Sequence, residues 1–358
     1  MAFIKSQKLQ LFYILGLIIL WCSCRKDFDY QPSSGNLSFS KDTVYLDTVF
    51  TNIGSSTYSL KVYNRSNTDI QIPSITFKNG LNSKYRINVD GQAGQEFYNI
   101  PLLANDSLYI FIETTFEISS IGESEFLYTD EILFDSSSNQ QSVSLVTLIK
   151  DAIFLYPKKD ANGIYENISL RNSTGVNIMV NGFTLNDSQL NFTNEKPYII
   201  YGYAAIPENK TLIIDAGARI YFHQNSGLFA KANSTLLING SLSSDQLVLE
   251  NEVIFEGDRL EPEFNAISGQ WGSIWFDKES TDNQINHLTI KNATVGLFVN
   301  GTNSKDTINL KITNSQIYNS SSINLWNNNS HVIGSNLVLG NAGYTSLFCN
   351  NGGYYRFI

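Results

Sequence analysis

Asp258, Arg259, Glu261, Glu263, Asp277, Glu279 and Asp282 crowd one short stretch of the sequence, with Trp271 and Trp275 between them. Carboxylates beside a base can hold a cation or move a proton, and indole rings stack on the apolar faces of sugars. Together those abilities would serve the binding or the cleavage of a polysaccharide. The simpler reading of residues 258–261 is a solvated loop stapled by its own ion pairs, with Trp271 packed beneath it, because charge clusters in loops are usually solvated faces. Asp258, Arg259, Glu261, Trp271, Trp275 and Asp277 are therefore the candidate ligand surface, and no residue is assigned as catalytic. His223, His287 and His331 are the only histidines; they are not at metal-ligand spacing, and each reads as a surface or corner residue. No metal and no other cofactor is expected.

The frame that positions these residues is large enough for two domains. The chain has 358 residues, 42% hydrophobic and 16% charged, which excludes a disordered acidic tail. Its formal charge of −9 argues against nucleic acid as a partner, since phosphate binding needs clustered positive charge. Lys5 and Lys8 precede an apolar run over 11–21, too short to span a bilayer and right for the core of a secretion signal. The run ends in Leu20-Trp21-Cys22-Ser23-Cys24, with small Ser23 just before Cys24. This resembles a lipobox, which implies a signal peptide over 1–23 and acylation of Cys24; bulky Trp21 disfavours Cys22. Loss of Lys5 and Lys8 would take the charge to −9 − 2 = −11. Cys349 would then be alone, excluding an intrachain disulfide, and it reads as a small packed hydrophobe.

Residues 24–36 read as a flexible tether. Runs rich in β-branched and aromatic residues then follow over 43–50, 58–64, 70–77, 85–89, 107–115, 125–134 and 141–149, separated by Asn79-Gly80, Asp90-Gly91 and Asn105-Asp106. Seven short strands in one domain predict an immunoglobulin-like β-sandwich over 37–150, with the even positions of 108–112 facing its core. Residues 151–166 read as a linker. Beyond it, apolar triplets recur at 212–214, 236–238, 253–255, 274–276, 288–290, 310–312 and 337–339, with Asn, Gly and Ser between them. Asn292, Asn314 and Asn341 each stand two positions after a strand residue and before a small one. Asn tolerates a left-handed bend and can stack on the Asn of the next coil, so the pattern predicts a right-handed parallel β-helix over 167–358. The regular coils are expected from about Thr211, after an irregular opening over 168–207. The fold class is all-β. A strand opening at 352–358 predicts further coils beyond Ile358, or a partner on that edge.

With these pieces in place, Cys24-Arg25-Lys26-Asp27, the stretch 85–91 and the stretches 257–261 and 269–274 resemble a group of Bacteroidota lipoproteins with a right-handed β-helix. The resemblance implies an exported protein held to outer-membrane lipid through Cys24, with Asp27 and Asp29 resembling the acidic signal for the cell surface. It supplies no catalytic residues. Asp42-Thr43-Val44, Asp47-Thr48-Val49, Asp106-Ser107-Leu108 and Asp306-Thr307-Ile308 resemble that phylum's O-glycosylation acceptor, which would modify Thr43, Thr48, Ser107 and Thr307. The β-helix polysaccharide hydrolases resemble one another in an Asp-Asp pair and a Gly-His-Gly, and this chain has neither. The expected function is a non-catalytic binding or adhesion role in the cell envelope, with a glycan or an envelope protein as ligand; the alternative is a β-helix polysaccharide lyase or hydrolase.

Overall fold

The computed structural model describes residues 30–117, 125–135 and 139–358, so Cys24 and the signal lie outside the described residues. All regular structure there is β, with only single turns of 3-10 helix besides. Two compact units emerge. Of the described residues, the first takes in those up to Tyr45, Ser56–Thr114 and those within Thr129–Leu145; the second takes in Leu46–Ser55, those within Thr115–Tyr128 and Val146–Ile358.

In the first unit two mainly antiparallel sheets meet across an apolar core. One contains Ile70–Phe77, Glu96–Leu102 and the stretches 129–134 and 141–145 of the strands Glu125–Phe134 and Gln141–Lys150; the other contains Tyr58–Asn64, Ser107–Thr114 and Tyr85–Val89. Phe39 meets Phe134 and Phe77 meets Tyr85 from one sheet to the other, with ring centroids 4.7 and 6.4 Å apart. Strand alternation sorts the side chains: Ile110 and Ile112 are fully buried, while Tyr109 and Phe111 lie outside. Asp90 and Gly91 both take positive φ, the geometry that closes a two-residue hairpin between Tyr85–Val89 and Gln92–Gly94. The expected tether is partly structured, because Gln31–Pro32 pairs in parallel with Ile70–Gln71. Pro32 is admissible there, since that strand is the edge of its sheet.

Parallel pairing dominates the second unit, and the chain visits three lines of strands in a fixed order. The first line holds Tyr198–Ile200, Arg219–Phe222, Val253–Gly257 and Leu288–Lys291. The second holds Tyr203–Ile206, Gly227–Ala230, Ile274–Phe276, Val295–Asn300, Ile323–Asn328 and Thr345–Asn350. The third holds Thr211–Asp215, Thr235–Asn239 and Asn283–Asn286. Leu310–Tyr318 and His331–Gly340 are long enough to serve the third line with their first halves and the first line with their second halves.

This register stacks like residues in columns. Ile220, Phe255, Ile290 and Ile317 form one; Leu228, Ile274, Leu297 and Leu325 a second; Ile214, Ile238, Ile285 and Ile312 a third. All three belong to one buried cluster. Each such side chain contributes about 1.5–3 kcal/mol by leaving water, so the core is continuous along the stack.

The segment expected as a linker is part of this unit: Ile153–Leu155 pairs in parallel with Tyr198–Ile200. Rungs also start before Thr211, because Gly182–Thr184 pairs with Tyr203–Ala205 and Asn191–Phe192 with Ile213–Ile214. Within 198–206 a rung bends at Gly202 without a run of turn residues, so the sequence reads as one apolar stretch.

Bends are carried by asparagine. Among the described residues, every non-glycine position with positive φ is Asn or Asp except Leu249 and His287. Asn292, Asn319 and Asn341 share one corner, where each amide nitrogen donates to the preceding side-chain oxygen at 2.6 and 2.8 Å. Asn286, Asn314 and Asn336 form a second ladder, at 3.0 and 2.8 Å. A third joins Asn300, Asn328 and Asn351, at 2.7 Å for both bonds. Asn314 thus belongs to a different corner from Asn292 and Asn341; both corners need the same left-handed bend, so both carry the same letters.

Between Asn239 and Val253 the path is lengthened by a loop held by Arg219. Its guanidinium donates to the carbonyls of Gly217, Ala218, Val248, Leu249 and Glu252. Leu249 has φ +56°, a strained value for that residue, and Leu247 is 95% exposed.

Asn319 tests the ladders. Asn319→Ala removes a buried link and strains the bend at φ 57°, so it should destabilise by about 2–3 kcal/mol in urea unfolding. Asn319→Gly relieves the strain but not the lost bond, and should cost about 1 kcal/mol less than the alanine.

Candidate functional site

The corner between the first and second lines opens into a cleft of about 1360 Å³ within the second unit. Rungs ending at Ile200 and Phe222 deliver Tyr201, His223, Gln224 and Asn225 to it; rungs beginning at Tyr203 and Ile274 deliver Tyr203, Ser273 and Trp275. Phe154, Tyr156 and Tyr165 add rings, and Val180 and Asn181 come from the strand Asn177–Thr184. That strand forms a hairpin with Asn167–Arg171, whose Ile168 and Leu170 pack with Tyr203, Phe229 and Trp275. Close approach requires glycine at the floor: a Cβ on Gly202 would stand 2.7 Å from the Asn181 carbonyl, and one on Gly272 2.8 Å from the Ser226 carbonyl.

One ionisable side chain anchors the cleft. His223 Nδ1 lies 2.7 Å from Asp258 Oδ2, and its ring stacks on Tyr201 with centroids 4.4 Å apart. The Asp258 side chain is nearly buried, at 10% exposure, whereas that of His223 is 48% exposed and lines the cleft. The carboxylate holds Nδ1–H, which leaves Nε2 as the nitrogen for a ligand. The hydrogen bond to Asp258 raises the His223 pKa above its ordinary value, against the opposing effects of burial and Arg259. Burial, with the Asp258 charge behind it, pushes Tyr201 up to about 12, so its hydroxyl stays protonated.

Of the residues singled out by sequence, Asp258 has this role behind the imidazole. Arg259 instead pairs with Glu261, with Nε and a terminal nitrogen 3.1–3.3 Å from its carboxylate, and covers the Phe264 ring at 3.9 Å. Trp271 cannot present a face to a sugar. It is 1% exposed, stacks on Phe222 at 4.3 Å and donates its indole N–H to the Lys291 carbonyl at 2.9 Å. Trp275 does reach the cleft, with its ring edge-on to Phe298 at 4.5 Å. Asp277 stands at the other end of the strand Ile274–Phe276; burial raises its pKa, and its carboxylate accepts the Lys278 backbone N–H at 2.6 Å. The expected surface is therefore divided, and only Trp275 of the six lines the cleft.

Sequence reasoning missed His223, because its partner lies 35 positions away. The tyrosines were legible only as strand residues. At Thr48 and Ser107 the preceding aspartate accepts the backbone N–H, at 2.6 and 2.7 Å; Ser107 opens its strand, whereas Thr48 lies within Thr43–Phe50, just after Asp47 at φ 56°. Thr43 and Thr307 are partly exposed. Cys349 is exposed rather than packed, although the register sets it in one column with the buried Val299 and Asn327, on the last described strand of the second line.

Asp258→Asn should lower the His223 pKa, measured by imidazole proton shifts in an NMR titration. The stability effect has a defined sign. A raised folded-state pKa contributes stability that is complete below the unfolded pKa and is lost as pH rises through the folded one. The variant should thus lose stability on the acid side and match the parent above the folded pKa.

No protein-family model matches the chain, and no curated protein matches it. Among solved structures, similarity is found to the VesB protease of Vibrio cholerae, at 11% identity and TM-score 0.23, over 32% of this chain and 31% of the protease. The PapD-like domain 7 of human CEP192 matches at 10% identity and TM-score 0.23, over 36% of this chain and 94% of that domain. The Escherichia coli chaperone DraB matches at 11% and 0.22, over 34% and 58%. This chain thus spans under a third of the protease's length. Resemblances at these scores assign neither a family nor an activity.

Proposed function

We propose that this chain is an exported lipoprotein of the cell envelope, anchored through Cys24, that binds carbohydrate in the His223 cleft without turning it over. In this reading the first unit is an immunoglobulin-like sandwich and the second a right-handed parallel β-helix, whose successive rungs set the cleft side chains at fixed intervals.

The observation that carries the binding reading is the composition of the cleft. Tyr156 and Tyr165 are 62% and 45% exposed, Trp275 stands beside them, and Asn181, Gln224 and Asn225 supply amides. Ring faces pack against the C–H faces of sugars, and amides can both give to and accept from hydroxyls. The volume exceeds the roughly 300–1,000 Å³ of most small-molecule sites, which suits an oligosaccharide. Hydrolysis ordinarily needs two carboxyl groups flanking the scissile bond, and among the described residues lining the cleft there is neither Asp nor Glu. Binding is therefore favoured over cleavage.

Tyr156→Ala and Tyr165→Ala should each weaken binding of a glycan-array hit by about 3–10-fold in calorimetry, as for losing an aromatic contact of about 1 kcal/mol, with an unchanged circular dichroism spectrum. Release of reducing ends or unsaturated products from the bound glycan would instead make the cleft an active site. For the anchor, Cys24→Ser should abolish incorporation of an alkyne-tagged fatty acid in growing cells; labelling that persists would remove the lipoprotein assignment.

A further inference from the structure

We propose that the cleft selects uncharged oligosaccharides and rejects uronate or sulfated ones, with His223 as the residue that addresses a sugar hydroxyl. The inference rests on the carbohydrate reading above and extends it to a ligand class.

Selection follows from which charges reach the cleft. Among the described residues that line it there is no Lys, Arg, Asp or Glu, and His223 is its one group that can become cationic near neutral pH. That charge is already matched, because Asp258 holds Nδ1 at 2.7 Å from behind. When the imidazole is neutral the pair carries a net negative charge; when it is protonated the pair is neutral. In neither state does it offer an uncompensated positive charge to an anion.

The surroundings add to this. Arg259, whose charge bears on the imidazole, is turned to Glu261. Burial raises the Asp47 carboxyl pKa, and the charges of Glu261 and Glu263 add to that rise. An anionic ring entering the cleft would lose hydration and find only neutral donors among the lining residues, with the Lys159 ammonium held over the Tyr165 ring at 4.5 Å, whereas a neutral ring gives up only hydroxyl hydrogen bonds that the amides can replace.

The imidazole suits a hydroxyl in either state. With Nδ1–H held by the carboxylate, Nε2 accepts a hydroxyl proton when the ring is neutral and donates to a hydroxyl oxygen when it is charged. A carboxylate or sulfate has no proton to give, so it is served only by the charged form.

The full chain can be titrated with matched oligosaccharide pairs that differ only at C6: glucan, mannan and galactan hexamers against their glucuronate, mannuronate and galacturonate counterparts. For whichever backbone binds, the neutral member should be preferred by roughly tenfold or more, the effect of about 1.4 kcal/mol. Gln224, exposed at the cleft, provides the converse. Gln224→Lys should at least halve that preference by improving uronate binding in absolute terms, whatever the loss of its amide does to the neutral affinity. Equal or tighter binding of the uronate by the parent protein would overturn the selectivity while leaving carbohydrate binding intact. Failure of all six hexamers to bind, with the NMR signature of a folded His223–Asp258 pair present, would remove both.

Discussion

Parallel backbone pairing in fixed register is the constraint from which the second unit follows. Once Ile220 pairs with Phe255, and Phe255 with Ile290, every inward position is decided by the rung beneath it. A slip of one residue would turn the whole column outward, so register and core define each other. The corners inherit the same spacing. That is why asparagine amides can chain from coil to coil, and why side chains distant in sequence, such as His223 and Asp258, arrive within hydrogen-bonding distance.

The cleft shows how this scaffold separates stability from recognition. Inward residues of the strands supply the core, while residues at and just past the strand ends supply Tyr201, His223 and Gln224. Trp271 and Trp275 illustrate the division. They are four positions apart, yet one stacks on Phe222 in the interior and the other lines the cleft. Composition alone does not distinguish them, because an indole satisfies a core and a binding surface equally well.

Legibility in the sequence followed the same line. The seven strand segments read between 43 and 149 and all seven apolar triplets read beyond Thr211 coincide with observed strands, because period and turn chemistry are local properties. Glu96–Leu102 was not foreseen: Asn99 takes φ 56° within it and Pro101 cannot donate, so it lacks a strand's usual composition. The early rungs around Tyr198 were hidden in one unbroken apolar run. The candidate site was the least legible, since which charged residues meet depends on the number of residues between rungs. Asp258 was legible as a charged residue and His223 was not, although it is their pairing that gives the cleft its character.

The loop held by Arg219 carries an implication for how such a protein can diverge. Corner loops of a stacked sheet can ordinarily lengthen or shorten over evolutionary time with little penalty, since the rungs on either side keep their places. Here five carbonyls converge on one largely buried guanidinium. An insertion or deletion between Asn239 and Val253 would pull those carbonyls away from the cation, so this loop and Arg219 must be inherited or exchanged together.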